Sequence, residues 1–120
     1  MLYWIKSENN RNNGGITVAQ RITHTVFFKL HTTNATPFLE KSLAQLKQIP
    51  YPENFRILKQ ISSKNQFEYG FSMEFSNQEA YDLYSAHPIH NEYVAKIWLL
   101  EVAEFMEIDY VSYWCGELDV

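Results

Sequence analysis

The stretch Tyr84 to Val94 reads YSAHPIHNEYV and holds two of the chain's four histidines, His87 and His90, on either side of a proline. A neutral imidazole serves as a general base near neutral pH. A tyrosine hydroxyl polarises a carbonyl or holds an enolate oxygen. Tyr84 precedes His90 by six residues. Base, hydroxyl donor and an apolar cavity together suffice for proton abstraction beside a carbonyl. The same stretch also reads as a corner between two helices, because Pro88 suits a first helical position. Under that reading an inward His90 hydrogen-bonds a strand carbonyl, as buried polar groups usually do. His87, held extended by the following proline, then caps or turns the corner. A metal site on this pair is the poorer reading: it supplies two ligands where zinc needs three or four. Glu101, about three helical turns further on, cannot complete it.

These residues need elements to position them. Residues 16–31 read as a first strand, clearest in RITHTVFFKL. Ile22, His24, Val26, Phe28 and Leu30 share one face and Thr23, Thr25, Phe27 and Lys29 the other. His24 therefore points into an apolar layer, as a satisfied core histidine or as a pocket wall beside Phe28. Thr36-Pro37 reads as a hydroxyl N-cap with proline at the first position of a helix. Its inward stripe is Phe38, Leu39, Leu43, Leu46 and Ile49, and Pro50 and Pro52 end it. A second strand is expected at 55–62 and a third at 66–75. In the third, Phe67, Tyr69, Phe71, Met73 and Phe75 alternate with Glu68, Gly70, Ser72 and Glu74. Ser76 with Glu79 reads as a capping box for a helix with the stripe Ala80, Leu83, Tyr84 and His87. A third helix starts at Pro88 and turns His90, Tyr93, Val94, Ile97, Trp98 and Glu101 to one side. The last strand is expected at 104–114, with Met106, Ile108 and Tyr110 on one face. Alternation then sets Asp109 opposite them, away from the helices, unless a bulge re-aims it.

The order β-α-β-β-α-α-β is an α+β, ferredoxin-like pattern: a four-stranded antiparallel sheet with helices on one face. Its other face meets water or a second copy. At 120 residues the chain is one domain. Residues 20–114 form it, 1–19 are an N-terminal extension read as a hairpin or arm, and 115–120 are a tail. Net charge is −4 and pI about 5.5. Scattered, outnumbered Lys and Arg residues point away from nucleic acid. No apolar run approaches the roughly 20 residues of a membrane span, and MLYWIKSENN lacks the pattern of a signal peptide. Cys115 is the only cysteine, which suits a reducing compartment, so a cytoplasmic protein is expected.

THTVFFKL on the first strand, a helix ending in QLKQIP, FEYGFSMEF, EAYDLYSAHPIHNEYV and the closing EIDY resemble, in combination, the stress-responsive dimeric α/β-barrel family. The resemblance covers about residues 20–114. It implies a homodimer in which two four-stranded sheets close into one barrel, with a pocket between sheet and helices. Family members include a plant polyketide cyclase that performs intramolecular aldol chemistry without a cofactor. Carried to this chain, the resemblance assigns His90 as catalytic histidine and Tyr84 as catalytic tyrosine, with His24 and Asp109 in their neighbourhood. His87 and Phe28 are added as pocket residues, and no metal or cofactor is implied.

Two function classes follow. One is a cofactor-independent cyclase or isomerase on a small ketone-bearing or polyketide-like substrate. The other is a non-catalytic, stress-associated dimer whose pocket holds a small apolar ligand. A haem-degrading monooxygenase is a third and poorer reading, since it needs a haem-ligating histidine on an open helix face.

Overall fold

The computed structural model describes residues 20–114, so the expected N-terminal hairpin or arm and the tail lie outside the described residues. The elements are β1 (Ile22–Leu30), α1 (Thr36–Leu46), β2 (Glu53–Lys59), β3 (Tyr69–Phe75), α2 (Gln78–Ala86), α3 (Pro88–Tyr93), a π-helical turn (Val94–Trp98), α4 (Leu99–Glu101) and β4 (Val102–Tyr110). The sheet order is β2-β3-β1-β4, with antiparallel pairing throughout. The fold is therefore ferredoxin-like, with helices on one face.

Alternation explains why the core lies under the helices. Ile22, His24, Val26, Phe28 and Leu30 are all buried, and so are Phe71, Met73 and Phe75 across the ladder. Phe28 is the hub of the core: its ring lies 4.9 Å from Phe71, 5.2 Å from Trp98 and 5.4 Å from Phe38. Such aromatic packing stabilises beyond the area it buries.

Several local expectations are corrected. The α1 N-cap is Ala35 without a side-chain bond, and Pro37 alone sets the start. Asn77, not Ser76, caps α2: its side-chain oxygen accepts from the Ala80 amide at 2.8 Å. Leu43 and Leu83 turn out to solvent, while Ser42 and Tyr81 take inward positions. The second strand starts earlier, at Glu53, the third later, at Tyr69, and the last earlier, at Val102, directly after a helix that includes a π turn. A π turn accommodates an extra residue, and it rotates the side chains beyond it.

The main correction concerns β4. Its register sets His24 opposite Asp109, Val26 opposite Glu107 and Phe28 opposite Phe105. Asp109 and Glu107 thus share the helix side with the buried face of β1. The register shift lies between Lys29 and Leu30, far from Asp109. Alternation holds, and the apolar set Met106, Ile108 and Tyr110 faces the open side, each 44–51% exposed. The assumption that the more apolar face of a strand meets its own helices fails here. Gly70 belongs to this open side opposite Phe27, and a Cβ there would stand 2.8 Å from Phe27 Cδ1 and 3.1 Å from the Val26 carbonyl oxygen. The missing side chain lets the Phe27 ring lie across β3.

Candidate active site

A cavity of about 270 Å³ lies between the sheet and the helices. β1 contributes His24 and Val26, β3 Phe71 and Met73, and β4 Phe105 and Glu107. α2 contributes Tyr84, α3 His90 and Tyr93, and the π turn Val94 and Trp98. Its walls are mostly apolar, with a few convergent polar groups, as in small-molecule sites.

Tyr84 packs near two imidazoles. Its ring centroid is 4.7 Å from that of His90, edge to face, and 6.4 Å from that of His24. Burial pushes the Tyr84 hydroxyl well above the usual phenol range, with the nearby Tyr93 and Glu107 acting in the same direction. Tyr84 therefore stays protonated and remains a donor. Burial lowers the His90 pKa below the ordinary histidine value, and His90 Nδ1 is buried with no hydrogen-bond partner. His90 is the third residue of α3, which favours the neutral ring further.

His24 is held from behind. Its Nδ1 lies 2.6 Å from Asp109 Oδ1, and the Tyr81 hydroxyl donates to Asp109 Oδ2 at 2.7 Å. Burial alone would raise the Asp109 carboxyl, but the hydrogen bonds from His24 and Tyr81 and the facing imidazole outweigh it and hold the carboxyl below its usual value. Burial and the Asp109 carboxylate push the Tyr81 hydroxyl upward, so it too remains a donor. On the opposite wall Tyr93 shares a 2.6 Å hydrogen bond with Ser42, which is fully buried.

Of the residues singled out from sequence, His24, Tyr84 and His90 line the cavity and Asp109 supports it from behind His24. Phe28 lies one layer back, packed on Phe71 and Trp98. His87 is the N-cap of α3, its Nδ1 accepting from the Ile89 amide at 3.1 Å, and its ring faces Tyr51 rather than the cavity. Two polar residues at or behind the cavity were not foreseen. Tyr81 lies one turn before Tyr84 on α2, a spacing that puts both on one face. Glu107 lies two positions before Asp109 on β4, so it shares its side. Among the described residues no group of three or more His, Cys, Asp or Glu is placed to hold a metal ion, and no helix is long and apolar enough to cross a membrane.

No curated protein matches the chain. Among solved structures, a Dabb family protein with a ferredoxin-like fold from Mesorhizobium loti is 41% identical, with TM-score 0.73 over 78% of this chain and 97% of that one. A dimeric ferredoxin-like protein of unknown function from Thermobifida fusca is 15% identical, with TM-score 0.63 over 85% and 100%. A hydroxynitrile lyase from Passiflora edulis is 13% identical, with TM-score 0.68 over 82% and 98%. The latter two are likenesses of fold. Residues 22–112 match the Stress Responsive A/B Barrel Domain, a span that takes in all four strands and the cavity. The chain belongs to the stress responsive A/B barrel domain family.

Proposed function

We propose that this protein is a homodimeric enzyme that abstracts a proton beside a carbonyl of a small, largely apolar ketone, leading to aldol-type cyclisation or isomerisation. The observation that carries this reading is the edge-to-face pair of Tyr84 and His90 in an apolar cavity, with His90 Nδ1 unpartnered. His90, neutral, takes the α-proton. The C–H electrons move onto the carbonyl oxygen, and the Tyr84 hydroxyl holds the resulting enolate. Both groups are side chains of this chain, so the step needs no cofactor. Burial strengthens the Tyr84 hydrogen bond by excluding competing water. The apolar open face of Phe27, Met106, Ile108 and Tyr110 supports the homodimer, as does the dimeric state of structural neighbours.

The test is incorporation of deuterium from D2O into the methyl group of acetophenone, followed by proton NMR. The wild-type protein is expected to exceed equimolar imidazole. His90→Ala and Tyr84→Phe are each expected to lose on the order of 10²-fold while keeping the native circular dichroism spectrum. Binding of acetophenone without exchange would replace this reading with that of a non-catalytic small-ligand dimer.

A further inference from the structure

The exchange reading uses one histidine, yet the cavity presents two. His24 lines it too, its ring 6.4 Å from that of Tyr84. Its Nδ1 is committed to Asp109, while its Nε2 bonds to none of the described residues and is not among the buried unpartnered atoms. Nε2 is therefore the nitrogen left for a ligand. The carboxylate that fixes this orientation is itself fixed. Its second oxygen takes the Tyr81 hydroxyl at 2.7 Å, and Tyr81 is wedged between Phe75, 5.0 Å away, and the His24 ring, 5.5 Å away. Metal-bound and catalytic histidines are commonly oriented this way, by a carboxylate on the far ring nitrogen.

We infer that His24 is a second proton-transfer residue, acting as the acid opposite His90, and that Tyr81 is the positioning residue that holds Asp109 and so aims His24 Nε2 into the cavity. The inference rests on the reading of His90 as base, and it narrows the substrate to a compound with two carbonyls in one small molecule. His90 takes the α-proton of one ketone. The enolate carbon forms the new C–C bond with the second carbonyl carbon, whose oxygen takes the proton from His24 Nε2. One proton has then left carbon for His90 and one has left His24 for oxygen, and exchange with water restores both rings. Protonated His24 forms an ion pair with Asp109, whereas His90 has no carboxylate within reach of an ion pair among the described residues. That asymmetry divides the two imidazoles by geometry: His24 has a carboxylate at 2.6 Å to share a proton with, and His90 has none among the described residues. The groups facing His24 are Asp109 and Glu107 from β4, Tyr81 and Tyr84 from α2 and His90 from α3.

The test runs the reaction backwards on 4-hydroxy-4-phenylbutan-2-one, whose cleavage to acetone and benzaldehyde is followed by absorbance. Here His24 accepts the alcohol proton, the C–C bond breaks, and protonated His90 returns a proton to carbon. His24→Asn is expected to slow cleavage on the order of 10²-fold and Tyr81→Phe about tenfold, each more than it slows acetophenone exchange. Imidazole nitrogen NMR supplies a readout that a packing role would not move. Neutral His24 is expected to carry its proton on Nδ1 in the wild-type protein and to become a mixture of tautomers in Tyr81→Phe and Asp109→Asn. Wild-type exchange without cleavage, or cleavage that His24→Asn leaves intact, overturns the acid role. A wild-type His24 protonated on Nε2, or an unchanged spectrum in Tyr81→Phe, overturns the positioning role. Failure of wild-type exchange itself sinks the His90 reading, and the acid role falls with it, while the NMR still decides what Tyr81 does.

Discussion

His24 and Asp109 face each other across the β1–β4 ladder, and their side chains meet at 2.6 Å on the helix side of the sheet. The two residues are 85 positions apart in the chain. Only the antiparallel pairing of the first and last strands brings them together, so the site exists only in the finished sheet. Asp109 keeps 40% of its side chain open to solvent, while its partner His24 keeps only 10%. Two donors satisfy the carboxylate, and it stays ionised.

That arrangement makes stability depend on pH in a definite direction. The folded Asp109 pKa is lowered, so its contribution is present above the unfolded aspartate pKa of about 3.9. It is lost as pH falls through the lower folded value. Urea unfolding of wild-type and Asp109→Asn proteins should differ most near neutral pH and converge under acid. A gap that persists at the lowest pH would mean that Asp109 acts through packing rather than charge.

His90 gives the opposite kind of group, a histidine kept neutral. Its pKa is lowered by burial, so the unfolded chain binds its proton first as pH falls below about 6.5. Protonation therefore favours unfolding there. For the reaction, the acid limb of acetophenone exchange is expected below that ordinary histidine value. His90→Ala should abolish the limb along with the rate. A limb at or above about 6.5 would show that burial does not set the base.

How much of this was legible in sequence differs by element. β1 and β3 were readable because their apolar residues alternate and all face the same helices. HPIH was readable because proline fixes the corner and leaves His87 to cap it. β4 misled because its apolar side serves the open face, and a strand's pattern says which residues share a side but not which side is covered. Tyr81 was missed for a related reason. Its value lies in Asp109, and a long-range partner leaves no trace in helical spacing. The π turn likewise follows from how Trp98 must pack on Phe28 and Phe38, a tertiary demand with no local signature.

The buried pair Ser42 and Tyr93 should be strongly coupled. Both side chains are buried and each is the other's partner at 2.6 Å. Ser42→Ala strands the Tyr93 hydroxyl and is expected to cost about 1–3 kcal/mol in urea unfolding. Tyr93→Phe should cost a similar amount. The double variant should cost less than the sum, because no polar group is then left unpaired. Simple additivity would mean that water reaches the site.

The open face should decide the oligomeric state. Ile108 and Met106 stand 44% exposed and Tyr110 51%, on the side of the sheet that no helix covers. Contiguous apolar surface of this kind marks an interface, and its centre is the least tolerant of charge. Ile108→Lys is therefore expected to turn a dimer into a monomer in native mass spectrometry. A lysine on the edge strand also blocks strand pairing. Lys96→Glu, at an exposed position of the π turn whose partner among the described residues is Glu92 four positions earlier, is the matched surface control and should stay dimeric. The cavity lies on the opposite side of the sheet from Ile108, and neither Ile108 nor Lys96 lines it. A wild-type monomer, or an Ile108→Lys protein that remains dimeric, would remove the apolar face as the reason for assembly. In that case the exposure of Met106, Ile108 and Tyr110 would need another explanation.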